Sequence, residues 1–217
     1  DTSSGSVGVA PQVVGNTVLF VQRGGRKVRE VTYDWASDSF NAGDVSILSE
    51  HITKPSMVET AYQRVPDQAL WGVRADGQLI SMTYEKAQEV MAWQRHTTDG
   101  AFESVAVISG TPYDEVWVIV QRIINGTARR YIEAMESIGH FEVEEANAYG
   151  LPCLGVSQPD CFFVDSGLTY EGDPTNRLQG LGHLEGKTVE ILGDGAVLPS
   201  QVVVGGEVNL PVLVRKA

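Results

Sequence analysis

Between Trp93 and Ser104 the chain collects residue types that acid–base chemistry uses: Trp93-Gln94-Arg95-His96-Thr97-Thr98-Asp99-Gly100-Ala101-Phe102-Glu103-Ser104. His96 titrates near neutrality, and Asp99 and Glu103 could protonate a leaving oxygen or activate a nucleophile. Trp93 could serve as a flat platform for a sugar ring. Two arguments favour a structural role instead. An Asp-Gly pair between two apolar runs is first a turn, and Thr97, Thr98 and Asp99 can satisfy loop amides through their side-chain oxygens. Glycoside hydrolysis also needs two carboxylates facing each other across a cleft, which spacing within one segment does not supply.

Other chemistries have weaker footholds. The sequence contains no GxSxG elbow, no phosphate-binding glycine loop and no HExxH pair. His51, His96, His140 and His183 are dispersed and are expected to be hydrogen-bonded structural residues. Cys153 and Cys161 stand eight residues apart without a CxxC motif or a nearby His pair, so a zinc site lacks ligands; two reduced, buried thiols are the default expectation, with a disulfide as the alternative. Asn125-Gly126-Thr127 matches a glycosylation sequon, but it falls in an expected hairpin turn. No catalytic residue, cofactor-binding residue or metal ligand is assigned, and the chain is expected not to be an enzyme.

The elements that carry these residues are short. Hydrophobic residues make up 42% of the 217 positions and charged residues 20%, which suits a folded chain and excludes a wholly disordered one. The 23 glycines fall between short apolar runs and point to tight turns rather than long helices. The formal net charge of -12 disfavours phosphate backbones and anionic headgroups as general partners. Arg23, Arg26, Lys27 and Arg29 cluster in one hairpin and Arg129 and Arg130 in another, and solvated strand faces are the preferred reading of both. No apolar run approaches a membrane span and no signal peptide opens the sequence, so a soluble protein made in a cytoplasm is expected.

The strongest pattern is an internal repeat. Leu19 to Asp34 aligns without a gap on Leu70 to Glu85, and a third copy runs from Val116 to Glu133 with one extra residue near its turn. Each copy is two apolar runs around Gly24-Gly25, Asp76-Gly77 or Asn125-Gly126, dipeptides that accept the positive φ of hairpin turns. The period resembles that of a propeller blade. The alignment places Phe20, Trp71 and Trp117 at matching, buried positions. Further strands are expected over Val58–Arg64, Glu89–Gln94 and Phe102–Ile108, and a short helix over Asp44–Ile52 with Asp44 as its cap.

The fold class read from this is mainly β: propeller-blade-like repeated antiparallel hairpins with a short helix, plus a small C-terminal β-barrel or sandwich. Residues 1–12 are expected to form a loose lead-in, 13–138 the repeated region, 139–159 a connector and 160–217 the C-terminal module. The module's strands are placed at Thr188–Leu192, Gln201–Val204 and Pro211–Val214.

Taken together, Ala61-Tyr62-Gln63-Arg64, Leu70 to Gly77, Leu79 to Tyr84, Trp93 to His96, Thr98-Asp99-Gly100 and Phe102 to Val105 resemble the tail nozzle (tail tubular) proteins of short-tailed bacteriophages. Arg122, Ile124-Asn125-Gly126, Arg130 to Glu133, Phe163 to Tyr170 and Leu181 to Val189 extend the likeness. The C-terminal module also resembles the small β domain named after the first catalytic-cysteine half-domain of ubiquitin-activating enzymes. Neither cysteine sits in an adenylation or thioester context, so that likeness implies a shared shape and no ubiquitin chemistry.

The resemblance implies a virion structural protein: a homo-oligomeric ring, six subunits in that family, contacting other phage tail proteins in the tail. DNA would pass through it during ejection without specific binding. Members are usually longer on the N-terminal side, so the resemblance implies a fragment, a shortened relative or a prophage remnant. The alternative is a propeller-like protein that binds or cleaves host surface glycans through Trp93 and the His96, Asp99 and Glu103 loop.

Overall fold

The computed structural model describes residues 4–136, 142–146, 152–156 and 164–217, and these are strand-rich, with helices confined to single turns. Three antiparallel meanders follow one another. The first sheet has the order β1 (Gln12–Val14), β2 (Thr17–Val21), β3 (Val28–Asp34) and β4 (Ser39–Asp44). The second runs β5 (Met57–Gln63), β6 (Ala69–Arg74), β7 (Leu79–Glu85) and β8 (Val90–His96). The third holds β9 (Ala101–Ile108), β10 (Glu115–Ile124) and β11 (Thr127–Met135), with β10 central. The three repeated hairpins are therefore the second and third strands of successive sheets.

Alternation in the sequence decides which faces meet. In β2, Leu19 and Val21 point to one side and pack with Val28, Met57, Leu70, Ile80, Met82 and Tyr84 in a first core. In β10, Val116, Val118 and Val120 join Phe102, Val105, Ala61, Trp71, Val73 and Leu79 in a second. The second sheet contributes to both cores, so β6 is buried at every position while β2 and β10 alternate between buried and half-exposed. A strand covered on both faces reads as an unbroken apolar run, which Ala69-Leu70-Trp71-Gly72-Val73 is.

The joint between sheets repeats as well. The Gly25 carbonyl at the first hairpin tip accepts the Met57 N–H at 2.8 Å, and the Gly77 carbonyl at the second accepts the Phe102 N–H at 2.7 Å. Gly25 and Gly77 have φ of +75° and +79°, and a Cβ at Gly77 would stand 2.7 Å from the Ala101 Cβ. Glycine is required there by both backbone and space.

The gapless alignment is corrected in one respect. Six residues separate the last pair of the first hairpin, Val21 and Val28, whereas five separate Val73 and Leu79 in the second. The extra residue shifts β2 by one position, and in a strand a one-residue shift turns every side chain to the other face. Leu19 is thus the structural counterpart of Trp71, and Phe20 matches Gly72. Phe20 is half-buried on the side of the first sheet away from the second. Trp117 does match Trp71, but it faces away from the second core and is half-buried, while Trp71 is 7% exposed.

Two local expectations change too. The helix reduces to a 3-10 turn at Ile47–Ser49 and a single α turn, α1 (Glu50–Thr53). Asp44 does not cap a helix: its Oδ1 accepts the Ser46 N–H at 3.0 Å and the Ser46 hydroxyl at 2.8 Å, closing a local turn. Described residues of the lead-in are tied to the first sheet. Val7 N–H bonds the Val21 carbonyl, Arg23 N–H bonds the Gly5 carbonyl, and Val7 and Val9 pack on the first core. Two valines spaced to face that core outweigh the Ser/Gly composition around them.

Contact density divides the chain into Asp1–Gln121 with Arg130–Ser137, and Arg122–Arg129 with Ile138–Ala217. The tip of the third hairpin thus groups with the C-terminal part. Where a connector is expected, β12 (Glu142–Ala146) pairs with β13 (Pro152–Val156). Beyond it, β14 (Glu171–Gln179) pairs with β17 (Glu207–Lys216), and β15 (Thr188–Gly193) with β16 (Ala196–Val202). These two ladders enclose Ile191, Val203, Val208, Leu210 and Val214. They form two two-stranded layers, and among the described residues no closed barrel is present.

Candidate functional site

The pleat of the second sheet decides what happens to the His96 segment. His96 ends β8 opposite Leu79 and faces the second core, where its ring lies 4.9 Å from Trp71, centre to centre. Its Nε2 is 2.8 Å from the Ser81 hydroxyl, and Gln94 Nε2 donates to the same hydroxyl at 2.8 Å. Trp71 Nε1–H in turn donates to Gln63 Oε1 at 3.0 Å. Burial pushes the imidazole pKa below its ordinary 6.5. The Ser81 hydroxyl thus receives Gln94 and shares a second hydrogen bond with His96, whose donor is set by the imidazole tautomer. Ser81, Gln94 and Gln63, to which the sequence assigned no role, complete this seam.

A Ser–His contact of this length is the geometry that activates a serine nucleophile. Here Ser81 is 0% exposed, so a substrate carbonyl cannot approach it. The seam satisfies polar groups inside a core, where an unpaired one would be costly.

The remaining members of the segment lie elsewhere. Glu103 sits at an irregularity in the pairing of β9 with β10, beyond the second core, where Arg130 holds it with bonds of 2.5 and 3.1 Å and Gln121 with one of 3.3 Å. The Arg130 guanidinium keeps its carboxyl below the usual carboxylate range, the reverse of what a general acid needs. Asp99 is exposed in the turn between β8 and β9. Trp93 packs against the first core, with Nε1–H bonded to the Val45 carbonyl at 3.0 Å. His96, Asp99, Glu103 and Trp93 therefore do not converge, and Trp93 is no platform.

In the first basic cluster three side chains are held by their own neighbourhood. Arg26 bonds the Pro55 carbonyl, Lys27 spans Asp44 and Glu50 at 2.8 and 2.9 Å, and Arg29 bonds Gln22 and the Ala42 carbonyl. His51 is exposed in α1, and His183 lies 3.4 Å from the Ser166 carbonyl. His140 and Cys161 lie outside the described residues. Of Cys153 only its place in β13 is described. Asn125 and Gly126 have φ of +48° and +73°, which makes the sequon a tight hairpin turn. No helix is long and apolar enough to cross a membrane, and among the described residues no group of three potential metal ligands occurs.

Within the first unit, and among the described residues, no further sheet packs on the two ends of the stack. The outer side of the first sheet carries Val18, Phe20, Val31 and Tyr33, and that of the third carries Trp117, Ile119 and the 73% exposed Ile132. Because the sheets repeat in one orientation, the first surface corresponds to the side of the second sheet that the first covers. The second surface corresponds to the side that the third covers. No protein-family model and no curated protein matches the chain.

Proposed function

We propose that the protein is a non-enzymatic structural component of a phage or prophage tail, part of the nozzle through which DNA is ejected. It acts by assembly: copies form a ring, six in the family it resembles, joined to other tail proteins, and DNA passes without specific binding. The observation that carries this reading is the pair of open sheet faces, each the counterpart of a surface that a neighbouring sheet covers within the chain. Such ends support head-to-tail association, which closes rings when the rotation permits. The acidic balance suits a conduit, because carboxylates repel a phosphate backbone. The resemblance supplies the tail; the geometry supports association.

Light scattering and negative-stain imaging at high protein concentration test it. Particles larger than a monomer are expected, and they should dissociate when Ile119→Asp or Val18→Asp places a charge on either end. A chain that stays monomeric throughout, or glycan hydrolysis that disappears in His96→Ala or Glu103→Ala, sinks the proposal. The glycan-cleaving alternative has no observation in its favour at that segment, since its residues do not converge.

A further inference from the structure

A groove of about 730 Å3 opens where the first sheet meets the end of the second, lined by Asn16, Tyr33, Trp35, Gln68, Tyr84 and Lys86 among others. Its volume lies within the range of small-molecule sites, roughly 300–1,000 Å3. Trp35 stands on its rim and is 86% exposed. The indole is not on a loose loop. The Tyr33 ring packs edge-on against it at 4.8 Å and against Phe40 at 5.2 Å. The Tyr33 hydroxyl donates to Asp38, while Asp34 accepts the Ala36 N–H at 3.0 Å and the Ser37 hydroxyl at 2.8 Å. A large aromatic held by a well-bonded turn at the mouth of a groove offers a flat apolar face to a ligand.

The polar lining is equally specific. Gln68 Oε1 accepts the Tyr62 hydroxyl at 2.7 Å, which orients the amide, and its nitrogen carries no hydrogen bond among the described residues. Tyr84, 2% exposed, lines the groove, and its hydroxyl is sealed from solvent beside Thr17 and Glu30. The Lys86 ammonium is held by Glu30 and by the Thr17 hydroxyl, and Glu85 adds a negative charge. The groove thus has no free positive charge for a phosphate or carboxylate ligand. The chemistry left is that of a neutral polyol with one apolar face.

We infer that this groove binds a neutral saccharide, with the C–H face of a pyranose ring on the Trp35 indole. Ring hydroxyls meet the Gln68 amide and Asn16. Binding without cleavage is meant, because Glu85 is the one carboxylate in the lining. The site is separate from the His96 segment.

The test uses the full chain with maltotriose, cellotriose and chitotriose as probes, and with inorganic phosphate and tetramethylammonium as comparison arms. Tryptophan emission and saturation-transfer NMR are read together. A saturable blue shift with at least one trisaccharide is expected, weakened roughly tenfold or more in Trp35→Ala and in Gln68→Ala. The melting temperature and particle mass should not change, which separates this result from any failure of assembly. Three outcomes overturn the inference: no saturable response to any trisaccharide at about 10 mM, binding that both substitutions leave intact, or a response to phosphate or tetramethylammonium alone.

Discussion

Replacing Trp71 measures how much the second core depends on one side chain. The indole is 7% exposed, packs among residues from the second and third sheets, and donates Nε1–H to Gln63 Oε1 at 3.0 Å. Trp71→Ala removes the largest side chain of that layer, which costs about 3–5 kcal/mol in a well-packed core. Part of the loss is polar, because Gln63 is buried and its Oε1 would lose a donor, at about 1–3 kcal/mol. Trp71→Phe keeps most of the volume and removes the donor, so it should show that polar part and little more. For a unit of about 130 residues each kcal/mol shifts the midpoint by roughly 3–5 °C, so Trp71→Ala should melt roughly 10–20 °C lower. Urea and thermal unfolding followed by circular dichroism provide the measurement. Trp117→Ala, at the matching but half-exposed position, should cost about 1 kcal/mol. Equal losses at 71 and 117, or an unchanged midpoint for Trp71→Ala, would refute the assignment of the two faces.

Other perturbations follow from single contacts. Burial depresses the His96 pKa, so the unfolded chain takes up its proton more readily. Stability should be full above pH 6.5 and fall as pH drops below it, and a melting series in which His96→Gln is as steep as the parent contradicts this. Gly77→Ala forces a side chain into φ +79° and against Ala101, and should cost about 1–3 kcal/mol. Gly126→Ala, at φ +73° with open space around it, should cost about 1 kcal/mol, and denaturant midpoints order the two. Asp114 is buried and accepts the Arg64 and Val65 N–H groups at 2.8 and 3.3 Å, so Asp114→Ala should lower stability by about 1–3 kcal/mol in urea unfolding.

The hairpins were legible because Asp76-Gly77 and Asn125-Gly126 encode turn geometry in two residues. The register of the first was not, because one added residue between Val21 and Val28 leaves composition unchanged while reversing which side of β2 is buried. β14 escaped notice because Glu171-Gly172-Asp173-Pro174-Thr175-Asn176-Arg177-Leu178-Gln179 has almost no apolar alternation; its pairing with β17 comes from the partner strand. The His96 segment looked promising in one dimension only. Strand alternation and the end of a sheet send its members to different surfaces, which local spacing cannot report. The groove was invisible for the opposite reason, since Trp35, Gln68 and Lys86 are far apart in sequence and meet only when two sheets stack.

The glycine carbonyls that tie each hairpin tip to the next sheet have a consequence for how the chain forms during synthesis. Gly25 accepts from Met57 and Gly77 from Phe102, so every such bond joins an element already made to one emerging later. A sheet whose hairpin has closed presents a ready acceptor and a half-built apolar layer at the moment the following first strand leaves the ribosome. Growth from the N-terminal side then needs no search among distant partners, and each step closes a loop of only a few tens of residues. The same polarity means that an error in the first turn propagates: a misplaced Gly25 would leave the second sheet to fold without the edge that guides it.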